Sequence, residues 1–153
     1  MRRAGFSTLE KPADFYGLGL ALGNGEVRLL DLTNAYASLA RGGVYKPLLV
    51  AREPVIRLPG REARVFDEKT AYLVTDILAD NNARAPAFGL NSPLSVPFPL
   101  AAKTGTSKDY KDNFTLAYTP RWTIGVWVGN FDATPMQQIS GVTGCLLYTS
   151  DAA

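Results

Sequence analysis

The chain has 153 residues, of which 46% are apolar and 20% charged, and a net charge of +2, the composition of one globular domain with room for a single core. Its Lys and Arg residues are scattered among acids, so no basic stripe gives an electrostatic reason to expect nucleic acid as a partner. There is no histidine and one cysteine, Cys145, which removes Ser-His-Asp and Cys-His catalysis, internal disulfides, thiolate metal clusters and most zinc sites.

Acid–base chemistry in such a chain must use lysine, a carboxylate or tyrosine, and no metal or cofactor is expected. The longest apolar stretches, residues 17–23 and 47–51, are too short to span a bilayer. Met1-Arg2-Arg3 is basic, but no apolar run follows it. Any export signal or membrane anchor is therefore expected outside this chain.

In chain order, residues 6–25 are apolar but punctuated by glycine, a helix or loop leading into a turn at Gly23-Asn24-Gly25. Residues 29–41 carry the clearest helical period. Leu29, Leu32, Ala35, Tyr36, Leu39 and Ala40 recur at three and four residues, and Gly42-Gly43 stops the helix. Residues 44–57 read as extended pieces broken by Pro47 and Pro54, with a turn at Leu58-Pro59-Gly60. Asp67 caps a second helix over 68–80, with Ala71, Val74, Ile77 and Leu78 on one face. Residues 85–99 hold four prolines and are expected as a long loop, neither helix nor central strand.

From Leu100 the period becomes two. Residues 100–106 form a strand candidate, 107–112 a polar turn, and Phe114, Leu116 and Tyr118 alternate with Thr115 and Ala117. After Thr119-Pro120-Arg121, the residues Trp122, Ile124, Val126 and Val128 alternate with Thr123, Gly125 and Trp127. Three strands joined by short turns predict an antiparallel meander. Helices first and sheet after make the class α+β. Trp122 and Trp127 fall on opposite faces by alternation, so at least one is expected in the core.

The chemistry concentrates in Lys103-Thr104-Gly105-Thr106. On a strand, Thr104 and Thr106 share one face about 7 Å apart, a spacing at which two hydroxyls can both bond a carboxylate. Gly105, lacking a side chain, would let another element approach the strand. Lys103 points to the other face and must curl round the strand or serve its edge. If that edge is open, the Thr106 backbone can pair with an extended peptide. The tetrapeptide reads as a clamp for a peptide's C-terminal carboxylate.

Lys103-Thr104-Gly105-Thr106 resembles the third signature of the serine-acylating penicillin-recognising family, which includes penicillin-binding proteins and serine β-lactamases. Residues 20–27 and 30–43 are similar to the stretch that precedes it in class A, bifunctional penicillin-binding proteins. Residues 83–89, 106–110 and 125–132 look closest to the 1C type, and the resemblance covers residues 6–144.

The resemblance implies a partial β-lactamase/transpeptidase-like fold, a peptidoglycan stem peptide ending in D-Ala-D-Ala as substrate, and β-lactams as mimics of it. It also implies a place in the cell envelope, on the periplasmic side of the inner membrane. Within the family a serine attacks the penultimate D-Ala carbonyl, and a second peptide's amine takes the acyl group. By position, Lys103 resembles the lysine that sets the positive potential of the site. Thr104 and Thr106 resemble the hydroxyls that hold the carboxylate, and the N–H of Thr106 would supply half of the oxyanion hole.

The family also needs Ser-x-x-Lys and Ser-x-Asn. None of Ser7, Ser38, Ser92, Ser95, Ser107, Ser140 and Ser150 has Lys three residues on or Asn two residues on. Both motifs precede the third in this family, so the chain is expected to begin after them. Residues 1–144 would be the C-terminal part of the transpeptidase domain, without the nucleophile, and inactive alone. Alternatives are a non-catalytic peptide-binding module that retains the clamp, or a relative of serine β-lactamases and D,D-carboxypeptidases. Residues 145–153 fit neither sheet nor family and read as a non-native tail.

Overall fold

A computed structural model of the chain describes residues 1–57 and 60–136. Leu58 and Pro59 of the turn expected at Leu58-Pro59-Gly60, and the tail expected at 145–153 with Cys145, lie outside the described residues. Contacts divide the chain into two compact units, residues 1–74 and 75–153.

In the first unit, a short helix α1 (Ala13–Tyr16) and a 3-10 segment (Leu18–Leu22) lead to a left-handed Gly23. Helix α2 (Leu29–Ala40) follows where the three-four period predicts it. Its most buried face is not the apolar one, however: Asn34, Ala37 and Ser38 are buried, while Leu30 is exposed. Asn34 earns its burial with bonds. Its Nδ2 donates to the Lys46 carbonyl at 3.0 Å, and the Ser38 hydroxyl donates back to the Asn34 carbonyl at 3.2 Å.

The stop after α2 depends on Gly43. It sits at φ 92°, and a Cβ there would fall 2.2 Å from the Phe66 carbonyl oxygen, while its own carbonyl accepts from the N–H groups of Val65 and Phe66. Two small antiparallel ladders complete the unit, β1 (Val44–Tyr45) with β4 (Ala63–Arg64) and β2 (Leu49–Ala51) with β3 (Ile56–Arg57).

Helix α3 (Glu68–Ala79) begins as expected from its cap. Asp67 accepts the Thr70 N–H at 2.9 Å and the Thr70 hydroxyl at 2.6 Å. One expected face position fails: Ala71 is buried, but Ile77 is 66% exposed, and Thr75 turns inward instead. Thr75 shares a 2.9 Å hydrogen bond with the Tyr118 hydroxyl, so a polar partner decides the rotation there.

The expected loop over 85–99 is corrected at its start, where residues Asn81–Phe88 form a helix, α4, with Pro86 inside it. Asp80 caps it by accepting the N–H groups of Asn82 and Ala83. Pro86 removes one intrahelical bond, but it lies two residues from the helix end. The loss is therefore small in so short a helix, and Gly89, at φ 78°, ends it.

The second unit is organised by the predicted meander: β5 (Ala101–Thr106), β6 (Asp112–Tyr118) and β7 (Thr123–Gly129), antiparallel in that order. The class is α+β, as expected. Leu94, Leu100, Ala102 and Ala117 form its core, with Phe88 and Val96 packed against them. Neither tryptophan is fully buried: Trp122 precedes β7 and is exposed, and Trp127 is half-buried.

Candidate active site

Strand β5 begins in the core and ends in solvent. Ala101 and Ala102 are buried, Thr104 is half-buried, and Lys103, Gly105 and Thr106 are exposed. Pairing carries the same gradient across the sheet. Ala102 stands opposite Ala117, Thr104 opposite Thr115, and Thr106 opposite Asn113, so these three pairs share one face. The tetrapeptide thus emerges from a packed sheet that fixes its backbone.

The direction of its backbone groups follows from one bond. Ser107 N–H donates to the Asp112 carbonyl at 2.9 Å, which makes 107 and 112 a hydrogen-bonded pair. In an antiparallel ladder such pairs alternate. Lys103 and Gly105 therefore direct N–H and C=O at β6, whereas Ala102, Thr104 and Thr106 direct theirs away from it. β5 has β6 as its single ladder partner among the described residues. Thr104 and Thr106 thus present two hydroxyls on one face and their backbone groups at an open edge.

Lys103 leaves the strand on the opposite face, as alternation demands, and its side chain turns round the edge: Nζ donates to the outward carbonyl of Thr104. The expectation for Gly105 differs from what is found. A Cβ there would meet nothing within 4 Å, so no described element uses the space that the glycine leaves.

The segment after the strand is a turn held by specific bonds. Its 3-10 stretch (Lys108–Tyr110) carries Asp109 at φ 63° and Tyr110 at φ 56°. The Ser107 hydroxyl accepts the Asp112 N–H at 2.8 Å, and Met136 N–H donates to the Tyr110 carbonyl at 3.0 Å. Asp112, expected in the polar turn, instead begins β6. It accepts the Trp127 indole N–H at 2.9 Å. Nearby, Asp132 accepts both the hydroxyl and the N–H of Thr134, which hold its carboxyl below the ordinary range. Burial pushes the Tyr118 hydroxyl up, with the Thr75 bond opposing.

Sequence reasoning missed Arg84. Its Nη1 donates to the carbonyls of Leu78 at 2.6 Å and Leu100 at 3.2 Å, joining the end of α3 to the residue before β5. It falls in the stretch 83–89 that resembles the 1C type, but no period assigned it a role there; α4, hidden by its proline, puts it there.

The model of the penicillin-binding protein transpeptidase domain matches residues 12–142. The chain belongs to this transpeptidase family. The transpeptidase segment is 33% identical over 120 residues to penicillin-binding protein 1C of Escherichia coli, covering 78% of this chain and 14% of that protein. It is 36% identical over 125 residues to penicillin-binding protein 1A of Mycolicibacterium smegmatis, covering 72% and 15%. With penicillin-binding protein 2D of Bacillus subtilis it shares 28% over 145 residues, covering 82% and 21%. The chain thus spans about a seventh to a fifth of these relatives' length. No described helix is long and apolar enough to cross a membrane.

Proposed function

We propose that this chain is part of a peptidoglycan D,D-transpeptidase domain and contributes the strand that grips the stem peptide's C-terminal carboxylate. The observation that carries the proposal is β5 itself: two hydroxyls on one face, a lysine at the edge, and an edge facing away from β6. A carboxylate held by Thr104 and Thr106 gains charge-assisted hydrogen bonds, and Lys103 adds a cation beside it.

The outward N–H of Thr106 then lies along the peptide, next to the penultimate carbonyl, as one donor of an oxyanion hole. A preorganised donor of this kind is worth about 3–4 kcal/mol of transition-state stabilisation. The nucleophilic serine and its lysine base come from sequence outside these residues, since no serine here has either partner spacing. β-Lactams occupy the same clamp through their own carboxylate. The family match and the names of the relatives support a site of action in cell-wall synthesis. A place on the periplasmic side of the membrane and a glycosyltransferase domain in the same parent protein are part of the proposal and rest on the resemblance of residues 20–27 and 30–43 to bifunctional penicillin-binding proteins.

Covalent labelling by a fluorescent penicillin tests this. The full-length gene product labels and transfers a D-Ala-D-Ala stem peptide, whereas residues 1–153 alone do neither. Labelling of the isolated chain, or none of the full-length protein, contradicts the proposal.

A further inference from the structure

Ser107, the half-buried residue after β5, commits every polar group it has to the turn that follows. Its N–H donates to the Asp112 carbonyl at 2.9 Å, its carbonyl accepts the Tyr110 N–H at 3.2 Å, and its hydroxyl accepts the Asp112 N–H at 2.8 Å. In a regular hydrogen-bonded pair the Asp112 N–H would go to the Ser107 carbonyl. The turn has taken that carbonyl, and the hydroxyl stands in for it. The last rung between β5 and β6 is thus half backbone and half side chain. The turn it closes is strained: Asp109 and Tyr110 lie in succession at φ 63° and 56°. Residues with a Cβ stay in that left-handed region only where their surroundings hold them. The holding bonds are those of Ser107, together with the Met136 N–H on the Tyr110 carbonyl at 3.0 Å.

We propose that Ser107 is a positioning residue for the transpeptidase reaction: its hydroxyl pins the end of β5 against the strained turn and so keeps the N–H of Thr106 aimed. This rests on the reading above, in which that N–H meets the reacting carbonyl. Thr106 makes no rung of its own, because its N–H faces away from β6. Its direction is set by the rungs on either side, Gly105 with Phe114 and Ser107 with Asp112. The upstream rung lies inside the ladder. The downstream rung, without the Ser107 hydroxyl, keeps one bond, leaves a partly buried Asp112 N–H unpaired, and faces the relaxation of Asp109 and Tyr110. The hydroxyls that hold a carboxylate can rotate to follow it, whereas an N–H turns only with its backbone. Loss of the Ser107 hydroxyl therefore acts on the chemical step more than on binding.

The test uses the full-length protein and benzylpenicillin, with acylation followed over a range of concentrations. That separates the dissociation constant of the first complex from the rate constant of acylation, and thermal unfolding checks the fold. Ser107→Ala lowers the rate constant about 10- to 100-fold and changes the dissociation constant less than about threefold. Ser107→Thr keeps the accepting oxygen and acylates as wild type does. Adding Asp109→Gly to Ser107→Ala restores most of the lost rate, since glycine takes the left-handed conformation freely. A wild-type rate constant in Ser107→Ala overturns the inference, as does a loss confined to the dissociation constant. So does a double variant no faster than Ser107→Ala. In each of these cases the clamp stands, because wild type still acylates. Wild type that does not acylate at all removes the clamp, and the inference with it. Should Ser107→Ala fail to fold, Ser107→Cys carries the comparison, its thiol being a weak acceptor. A lowered rate constant is expected there too, and a wild-type value overturns the assignment.

Discussion

The indole N–H of Trp127 donates to the carboxylate of Asp112 at 2.9 Å across the β6–β7 ladder, although neither is the other's Cα partner. Asp112 is the first residue after the turn that follows the clamp, and its carbonyl accepts the Ser107 N–H. Asp112 thus ties β7, through its carboxylate, to the residue after β5, through its backbone carbonyl. The tryptophan ring lies close over Gly129, where a Cβ would fall 2.4 Å from it.

Trp127→Phe removes the donor and keeps most of the apolar surface. A hydrogen bond to a charged group contributes about 1.5–3 kcal/mol, and that is the loss expected in denaturant unfolding. Gly129→Ala displaces the ring and destabilises as well. A change below about 0.5 kcal/mol in the Phe variant would show that the bond is incidental.

Leu94 is 2% exposed and packs with Leu100, Ala102 and Ala117 under the buried half of the sheet. Leu94→Ala leaves a cavity beneath the start of β5 and costs about 2–5 kcal/mol, measurable as a lowered denaturation midpoint. Ile77→Ala, at an exposed position on α3, serves as the comparison and changes stability little.

The cap of α3 makes a pH prediction. The hydroxyl and N–H of Thr70 hold Asp67 below the ordinary carboxyl value of 3.8. A group whose folded pKa is depressed stabilises the fold above its unfolded pKa, and that contribution is lost as pH falls through the folded value. Asp67→Asn keeps a capping oxygen but does not titrate. The stability difference between wild type and Asp67→Asn therefore changes below about pH 4 and is flat from there to neutrality. A difference that changes near neutrality instead contradicts this assignment.

How far the sequence could be read follows from which forces dominate locally. The meander was legible because β5, β6 and β7 alternate with period two, and α2 because its apolar positions recur at three and four. The Lys-Thr-Gly-Thr spacing alone predicts two hydroxyls on one face, and the register places them there. Hidden from pattern were the features that depend on a single polar contact. Thr75 turns inward towards Tyr118, Asn34 is buried by its bond to the Lys46 carbonyl, and α4 tolerates Pro86 near its end. The contacts of Arg84 were hidden for the same reason: they depend on which carbonyls it reaches, not on its neighbours along the chain.

Removing the threonine hydroxyls separates binding from chemistry. Thr104→Val and Thr106→Val in the full-length protein each weaken the hold on the terminal carboxylate by about 10-fold or more, the value of one hydrogen bond to a charged group. The loss appears with a peptide ending in a free carboxylate and is absent with the corresponding C-terminal amide. Equal losses for both peptides would mean that the hydroxyls do not meet the carboxylate.

The central claim is that the N–H of Thr106 faces the open edge and meets the reacting carbonyl. Proline is tolerated at an edge position whose N–H is not used by the ladder, so Thr106→Pro deletes that donor and keeps the sheet. The decisive measurement is the second-order rate of penicillin acylation of the full-length protein carrying Thr106→Pro, beside Thr106→Ala, with thermal unfolding as the check on folding. The account predicts an acylation rate about 100- to 1,000-fold below that of Thr106→Ala at similar stability. Equal rates for the two folded variants would contradict it.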